Sequence, residues 1–437
     1  MKIAGWGRFP VAELPCRALR DLEAGRAALQ ALPGLIARGN GRSYGDAAIG
    51  AGGVLSTLPA DRILAFDADN GSVTCEAGLL LADLLDVLVP RGWFVPVTPG
   101  TKFVTLGGMM AADVHGKNHH GAGSFGDHVL QMTLLMADGS LRRCSPAEEG
   151  ALFAATRGGM GLTGVILDLT LRLIPIETSA IRQETRRAPD LGAALAALEE
   201  TRGATYAVAW IDCQARGRNF GRSLIYVGEH ATRAEAPHAA LAVPQRRSRR
   251  IPLDFPAVAL NRWSIAAFNE LYWRSGRPGT TLVDYDSYFY PLDAVLEWNR
   301  IYGRRGFVQY QCVLPYAAGE GGMAALLRRI VQSRRGSFLA VLKLFGPGAA
   351  KAPLSFPMEG WTLALDFPAD ADSFNLLLAL DAIVTDHGGR LYLAKDARMG
   401  AGMLRAGYPQ LDAFRATRAA ADPGRKFRSL LSQRLDL

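Results

Sequence analysis

Residues 96–128 read PVTPGTKFVTLGGMMAADVHGKNHHGAGSFGDH, and 11 of these 33 positions are Gly or His. No apolar run here is long enough for a regular helix or strand, so the backbone must serve another purpose. Glycine lets the main chain approach a ligand closely and turn successive N–H groups toward one centre, as in nests that hold phosphate oxygens. A second loop of this kind, Arg38-Gly-Asn-Gly-Arg-Ser-Tyr-Gly-Asp46, follows the apolar run Leu35 to Ala37. Two such loops roughly 60 residues apart suggest one extended, phosphate-bearing cofactor gripped at two places. A pair of tight surface turns is the competing reading.

Around these loops the first 175 residues alternate short strands and helices. Val54 to Leu58, Ile63 to Asp67 and Ser72 to Glu76 read as strands bounded by Gly, Asp and Asn. Leu79 to Leu88 has the i, i+3, i+4 apolar spacing of an amphipathic helix, stopped by Pro90 and Gly92. Val129 to Met136, Asp138-Gly139 and Leu141 to Cys144 form a hairpin pattern, and Val165 to Ile174 a further strand.

From about Ile176 the strands lengthen: Tyr206 to Asp212, Ser223 to Val227, Phe307 to Leu314, Phe338 to Phe345 and Thr362 to Phe367, with helices over Met323 to Gln332 and Ser373 to Asp386. That pattern predicts a separate substrate domain with a mixed sheet covered on one face. A final strand is expected in RLYLAKDARM from Arg390. The expected class is α+β, divided as 1–175, 176–389 and a C-terminal return over 390–437.

Length and composition bound the rest. A chain of 437 residues, 49% hydrophobic and 21% charged, holds a folded core and about two domains. Five scattered cysteines without a CxxC indicate neither a zinc ribbon nor a disulfide framework, and favour a reducing compartment. No signal-peptide core and no run of about 18 apolar residues occurs, so a cytoplasmic location is expected. The net charge of +8 is concentrated at Arg246, Arg247, Arg249 and Arg250, in PQRRSRRIPLDFPAVAL. Arginines beside apolar residues suit peripheral contact with anionic head groups or a lipid phosphate. No helix-turn-helix, zinc-finger spacing or aromatic RNA-binding signature accompanies the charge, so nucleic acid is not an expected partner.

Two motifs mislead. Gly159-Met-Gly161-Leu-Thr-Gly164 spells GxGxxG, but ALFAATR before it is helical and VILDLTLRLIPI after it is a strand, the reverse of a dinucleotide fingerprint. His115, Lys117, His119 and His120 invite a metal, yet the glycines between them argue against the helical spacing that histidine zinc sites need. No metal is expected. A histidine in such a loop serves better as a hydrogen-bonding group beside a cofactor.

GRSYGD (Gly41 to Asp46), TPGT (Thr98 to Thr101), LGG (Leu106 to Gly108), HGKNHHGAGSFG (His115 to Gly126), GGMGLTG (Gly158 to Gly164), QYQ (Gln309 to Gln311), KLFG (Lys343 to Gly346), PLSFP (Pro353 to Pro357) and LYLAKD (Leu391 to Asp396) occur in this order. Together they resemble the decaprenylphosphoryl-β-D-ribose 2′-oxidase family, FAD-linked oxidases of the vanillyl-alcohol-oxidase type, from about residue 5 to the C-terminus. The resemblance implies an FAD domain built from both chain ends, with the substrate domain inserted.

Position by position, the resemblance places the flavin pyrophosphate on the backbone of Gly39, Asn40, Gly41, Arg42, Ser43 and Tyr44, and of Thr105, Leu106, Gly107 and Gly108. Gly100, Asp113, His115, Gly116, Gly161, Val165 and Tyr392 complete the cofactor set. Tyr44 stands where many relatives carry the histidine that binds flavin covalently, so noncovalent FAD is implied.

Lys395, His115 and Lys117 are implied as catalytic, with Lys395 or His115 taking the hydroxyl proton. Tyr44, Lys117, Gln309, Gln311, Lys343 and Lys395 are implied to hold the substrate. The implied reaction oxidises C2 of a polyprenyl-phosphate-linked ribose by hydride transfer to flavin N5. A partner short-chain reductase would then complete the epimer. An aldonolactone or alditol oxidase acting on a soluble sugar is the alternative.

Thr362 and Ala364 stand where mycobacterial members have Asn and a Cys that nitroaromatic inhibitors trap, so no covalent capture is expected here. Phe289 stands where those members have Tyr.

Overall fold

The structure is a computed structural model that describes residues 1–244, 248–256, 259–349 and 351–437. Arg246 and Arg247 of the basic segment lie outside the described residues.

Two larger sheets, with the two-stranded ribbons Lys2–Ala4/Val11–Glu13 and Trp93–Phe94/Ile174–Pro175 beside them, carry the first part of the chain. Strands Cys16–Ala18, Val54–Ser56 and Ile36–Arg38 run parallel in that order. A five-stranded antiparallel sheet follows, ordered Leu141–Cys144, Val129–Leu135, Val165–Arg172, Ser72–Glu76, Ile63–Asp67. Its first hairpin turns at Gly139, whose φ of 82° is open to glycine at no steric cost. Helix Leu81–Leu88 buries Leu81, Leu84, Leu85 and Leu88, the i, i+3, i+4, i+7 stripe, and each such leucine contributes roughly 1.5–3 kcal/mol. Gly92 then takes a left-handed φ of 78° and ends the turn after it.

The second part is one eight-stranded sheet, ordered Gly279–Asp284, Ala180–Ala188, Ser223–His230, Tyr206–Ile211, Ala340–Phe345, Gly360–Pro368, Phe307–Pro315, Arg390–Leu391. Every ladder in it is antiparallel, which corrects the expected mixed sheet. Side chains alternate across a strand, so Val308, Tyr310 and Cys312 join the core under helices Leu191–Glu199, Gly319–Ser333 and Ala371–Asp386. Gln309 and Gln311 therefore face the other way, toward the glycine loops.

Three segments differ from expectation. Leu106–Ala111 is a short helix, because Thr105 caps it (Oγ1 accepts from Gly108 N at 3.3 Å) and Met109 and Met110 are buried. His119–Ala122 makes a single helical turn. The strand in RLYLAKDARM stops at Leu391, and Leu393–Lys395 is a 3-10 turn closed by Lys395 N donating to Tyr392 O at 3.0 Å. That turn carries Lys395 off the edge strand.

Beyond it the chain returns to the N-terminal sheets. Leu35 bridges Phe427 in parallel, and Arg434 pairs with Asp46 at 2.8 Å. Gly159 to Gly164 lie between helix Gly150–Thr156 and strand Val165–Arg172, in the helix-then-strand order read from the sequence.

Candidate active site

One cavity of about 350 Å³ lies between the glycine loops and the uncovered face of the eight-stranded sheet. Its two long walls are built in different ways.

The loop wall is backbone. The N–H groups of Gly39, Asn40, Gly41, Arg42 and Ser43 donate to no acceptor among the described residues, while Tyr44 N is bonded to Ala394 O at 3.0 Å. Gly41 holds φ 63°, and a Cβ on Gly39 would lie 2.1 Å from Thr105 Oγ1. Thr105, Gly107 and Gly108 also line the cavity, but their loop works differently. Leu106 N bonds Leu79 O at 3.0 Å, Gly107 N bonds Ala77 O at 2.8 Å and Gly108 N bonds the Thr105 cap, so this second loop offers close approach rather than donors. Gly161, with φ 79°, joins the wall beside Met160 and Gly164, and Gly100 stands in open space.

The sheet wall is side chain. Gln309 and Gln311 from one strand, Ala364 and Asp366 from the next, and Val341 and Lys343 from the third share its surface. Lys395 enters from the 3-10 turn, its Nζ 3.8 Å from the Tyr44 ring centre. Lys343 Nζ donates to Gly116 O at 3.2 Å.

Neither Lys343, Lys395 nor Arg42 has an ion-pair partner among the described residues. Burial pushes Lys343 down to about 8. Burial also lowers Lys395, opposed by the Asp366 carboxylate and reinforced by the charge of Lys343, and it raises Asp366. Both amines are open to the cavity but enclosed by protein, so loss of water outweighs the attraction to one carboxylate.

His115 sits between the walls, ringed by Phe345, Phe356 and Tyr392 with centroids 4.8 to 5.6 Å away. Gln311 Nε2 donates to its Nε2 at 2.9 Å, which makes that nitrogen the acceptor and leaves the ring proton on Nδ1. Burial, then the charge of Lys343, holds this imidazole well below its ordinary pKa. It is a neutral donor. The other histidines of the loop point elsewhere: His119 lies 4.5 Å from Phe345, and His120 Nε2 bonds Ala204 O at 2.7 Å.

Five residues implied by resemblance stand behind the walls rather than in them: Leu106, Asp113, Gly116, Lys117 and Val165. Asp113, fully buried at φ 41°, accepts from Ser124 Oγ at 2.7 Å and Gly126 N at 3.1 Å, and pairs with Arg157 at 2.9 Å. It fixes the histidine loop. Lys117 donates to Tyr288 O and lies 4.1 Å from the Tyr288 ring centre, with burial and Lys343 lowering it to about 7. Phe289 is likewise buried behind the wall, stacked on Phe94 at 5.5 Å.

Residues that the sequence reading passed over complete the lining. Asp366 accepts from Gln309 Nε2 at 2.6 Å through Oδ1, and its Oδ2 is buried without a partner. Alternation with Thr362 and Ala364 was the available signal. Trp6 stacks under the Arg42 guanidinium at 4.0 Å, and Leu292 to Trp298 close the outer side.

The unpaired N–H row, the crowded Gly39, and the orphaned Arg42 Nε, His115 Nδ1 and Asp366 Oδ2 fit a long anionic cofactor with a polar ring system. The FAD binding domain family matches residues 23–145. Decaprenylphosphoryl-beta-D-ribose oxidase of Mycolicibacterium smegmatis is 39% identical over 100% of this chain and 97% of its own.

The chain belongs to the decaprenylphosphoryl-β-D-ribose oxidase family. It is an FAD-dependent oxidoreductase. An uncharacterized protein of Streptomyces coelicolor is also 39% identical, over 82% of this chain and all of its own. L-gulonolactone oxidase of Bos taurus is 34% identical over only 31% of each chain. No helix among the described residues is long and apolar enough to cross a membrane.

Proposed function

We propose that this member of the family oxidises the C2 hydroxyl of a polyprenyl-phosphate-linked ribose to the keto sugar, the first half of an epimerisation towards arabinose. One observation carries the reading: Arg42, Lys343 and Lys395 line a single cavity, none of them in an ion pair among the described residues, and share it with two acids, Asp293 and Asp366, beside Gln309 and Gln311. Buried cations are costly unless paired, so the cavity is suited to anions, and beyond the FAD diphosphate a substrate phosphate would satisfy the sheet wall.

FAD bound noncovalently along Gly39 to Tyr44 would supply the hydride acceptor. The chain's own residues would do the rest. Gln309 and Gln311 would hold sugar hydroxyls, and Lys343 the phosphate. Lys395, lowered by burial, can take the hydroxyl proton in its neutral form, with Asp366 facing it. Neutral His115 would donate from Nδ1, and Lys117 would support the site from behind Tyr288. The lipid-linked substrate implies a peripheral position at a membrane surface, and the keto product implies a partner short-chain reductase.

The test is anaerobic mixing of the purified holoprotein with polyprenyl-phosphoryl ribose. The expected result is bleaching of the flavin absorbance, with no response to a free aldonolactone or alditol. Bleaching by the free sugar alone would reassign the substrate to that class.

A further inference from the structure

Helix Arg262–Ser275 is held on one side only. Ile265 and Asn269 are buried, Asn269 Nδ2 donates to Asp212 Oδ1 at 2.7 Å, and Tyr272 lies 4.8 Å from Trp210. The opposite side is exposed and carries apolar residues around the Glu270–Arg274 ion pair, with Arg262 over the Trp263 ring at 4.4 Å. Trp263 (70% exposed), Ala267 and Leu271 (68%) recur at i, i+4, i+8 and so share one face, with Arg274 beside them. Leu253, 74% exposed, is a further exposed apolar side chain, on residues 248–256.

That surface is tied to the cavity. Arg249 and Arg250 pair in register with Val295 and Leu296, which line the cavity and are themselves half-exposed. Phe268 of the helix packs on Phe338 at 5.5 Å, next to the lining residue Leu339. The charge is net positive, although Arg250 faces Glu297 at 3.8 Å and Arg274 is paired with Glu270. Among the described residues of 248–277, Arg249, Arg250, Arg262, Arg274 and Arg277 are accompanied by only two acids, Asp254 and Glu270. Those two acids are already engaged, Asp254 by Arg8 at 2.6 Å and Glu270 by Arg222 at 2.9 Å and Arg274 at 2.6 Å.

We propose that the Trp263–Leu271 face and the adjoining 248–256 strap dock on an anionic lipid bilayer and present the cavity's outer wall to a lipid-borne substrate. The inference rests on the reading that the substrate is polyprenyl-linked. Tryptophan and leucine rimmed by arginine are the composition that inserts among head groups, where aromatic rings sit at the interface and guanidinium groups meet phosphate. A protein partner of this family of charges would need a large acidic, apolar complement. A bilayer of phosphatidylglycerol needs only its ordinary surface.

The experiment compares the holoprotein with W263E/L271E and with R249Q/R250Q on sedimented vesicles, either pure phosphatidylcholine or mixed with phosphatidylglycerol. The native protein should partition at least about tenfold more onto the anionic vesicles. W263E/L271E should lose that partition, and R249Q/R250Q should weaken it and flatten its salt dependence. Flavin reduction by a short-chain, water-soluble lipid-phosphate ribose should be the same in all three, whereas reduction by vesicle-embedded substrate should follow partition.

Equal sedimentation of native protein and W263E/L271E overturns the proposal, as does native dimerisation by light scattering that the double variant abolishes. If the soluble analogue reduces the flavin while vesicles are ignored, docking fails alone. If no lipid-phosphate ribose reduces it, the substrate reading fails first.

Discussion

The two walls of the cavity recognise by opposite means. The loop wall offers the free main-chain N–H groups of Gly39 to Ser43 and, at Gly107 and Gly108, the close approach that comes with the absence of side chains. The sheet wall works through Gln309, Gln311, Lys343, Asp366 and Lys395, displayed on alternate positions of neighbouring strands. A backbone wall tolerates changes of charge and fails on added atoms. A side-chain wall does the reverse, and on the proposed roles the difference predicts that cofactor retention and turnover can be separated.

Adding one methyl group to the loop wall gives the largest expected effect. In G39A the new Cβ would meet Thr105 Oγ1 at 2.1 Å, and overpacking of this kind costs roughly 1–3 kcal/mol. FAD affinity should fall about 10- to 100-fold, read as flavin absorbance per protein after gel filtration. Combining G39A with T105A should restore much of the flavin, at about 1 kcal/mol of lost helix cap. Retention of full flavin by G39A would show that this wall is not where the cofactor lies.

On the sheet wall, K395M should keep its flavin and lose reactivity. Removal of a proton acceptor lowers the rate of flavin reduction by roughly 10²–10⁴-fold, measured by anaerobic stopped flow. Equal loss of flavin in K395M and G39A would erase the distinction between the walls.

The loop wall was the more legible of the two in the amino-acid sequence, for a physical reason. Glycines that let the backbone approach a ligand are a local fact, readable from GRSYGD without any fold, whereas the place of Tyr44 at a covalent-attachment position came from the family resemblance. Strands Ile63–Asp67 and Ser72–Glu76 were equally plain, since their bounding Gly, Asp and Asn end them locally. Asp366 was hidden because LALDFP reads as an apolar strand: alternation puts it on the face of Thr362 and Ala364, and the pairing with Gln309 shows that this face lines the cavity.

Helix Leu22–Ala31 went unread although Asp21 caps it at 2.7 Å, and Arg262–Ser275 escaped notice because it turns apolar residues to solvent. The antiparallel order of the large sheet depends on long-range pairings that no local spacing encodes. The second glycine loop misled in a subtler way, since its N–H groups look available in sequence and are consumed by Ala77 and Leu79 in the fold.

Charge on the sheet wall gives a smaller, pH-dependent effect. Lys343 is lowered by burial to about 8, so its ammonium is lost as pH rises through that value. Affinity for a phosphate-bearing ligand should therefore be highest below about pH 8 and decline above it, while the rate step at Lys395 should rise with pH as its amine becomes neutral. The plot of log KM should break near 8 in the native enzyme and run flat in K343M.

Stability moves in the sense set by the same shift. Between about pH 8 and the ordinary lysine range the unfolded chain holds the proton that the folded chain has released, so the ligand-free protein should gain stability as pH rises across that window. A Tm that falls over the same interval would contradict the assigned direction.

The smallest effect on turnover is expected at Ala364, and it discriminates most finely between the walls. Ala364 lies in register with Gln311 on one side and Val341 on the other, and it faces the cavity. A thiol there adds a single sulfur atom to a surface that already borders open space, so A364C should retain turnover within about threefold and keep its flavin, because a small addition next to a cavity does not overpack. Nitroaromatic compounds that trap the corresponding Cys of mycobacterial members, supplied together with the sugar substrate whose oxidation provides the electrons for nitro-group reduction, should leave the native protein unmodified and add one adduct to A364C, read by intact-protein mass spectrometry. An adduct on the native chain would have to use Cys16, Cys75, Cys144, Cys213 or Cys312, of which all but Cys16 are buried and none lines the cavity. The same one-atom change that the sheet wall absorbs is what the loop wall, at Gly39, cannot.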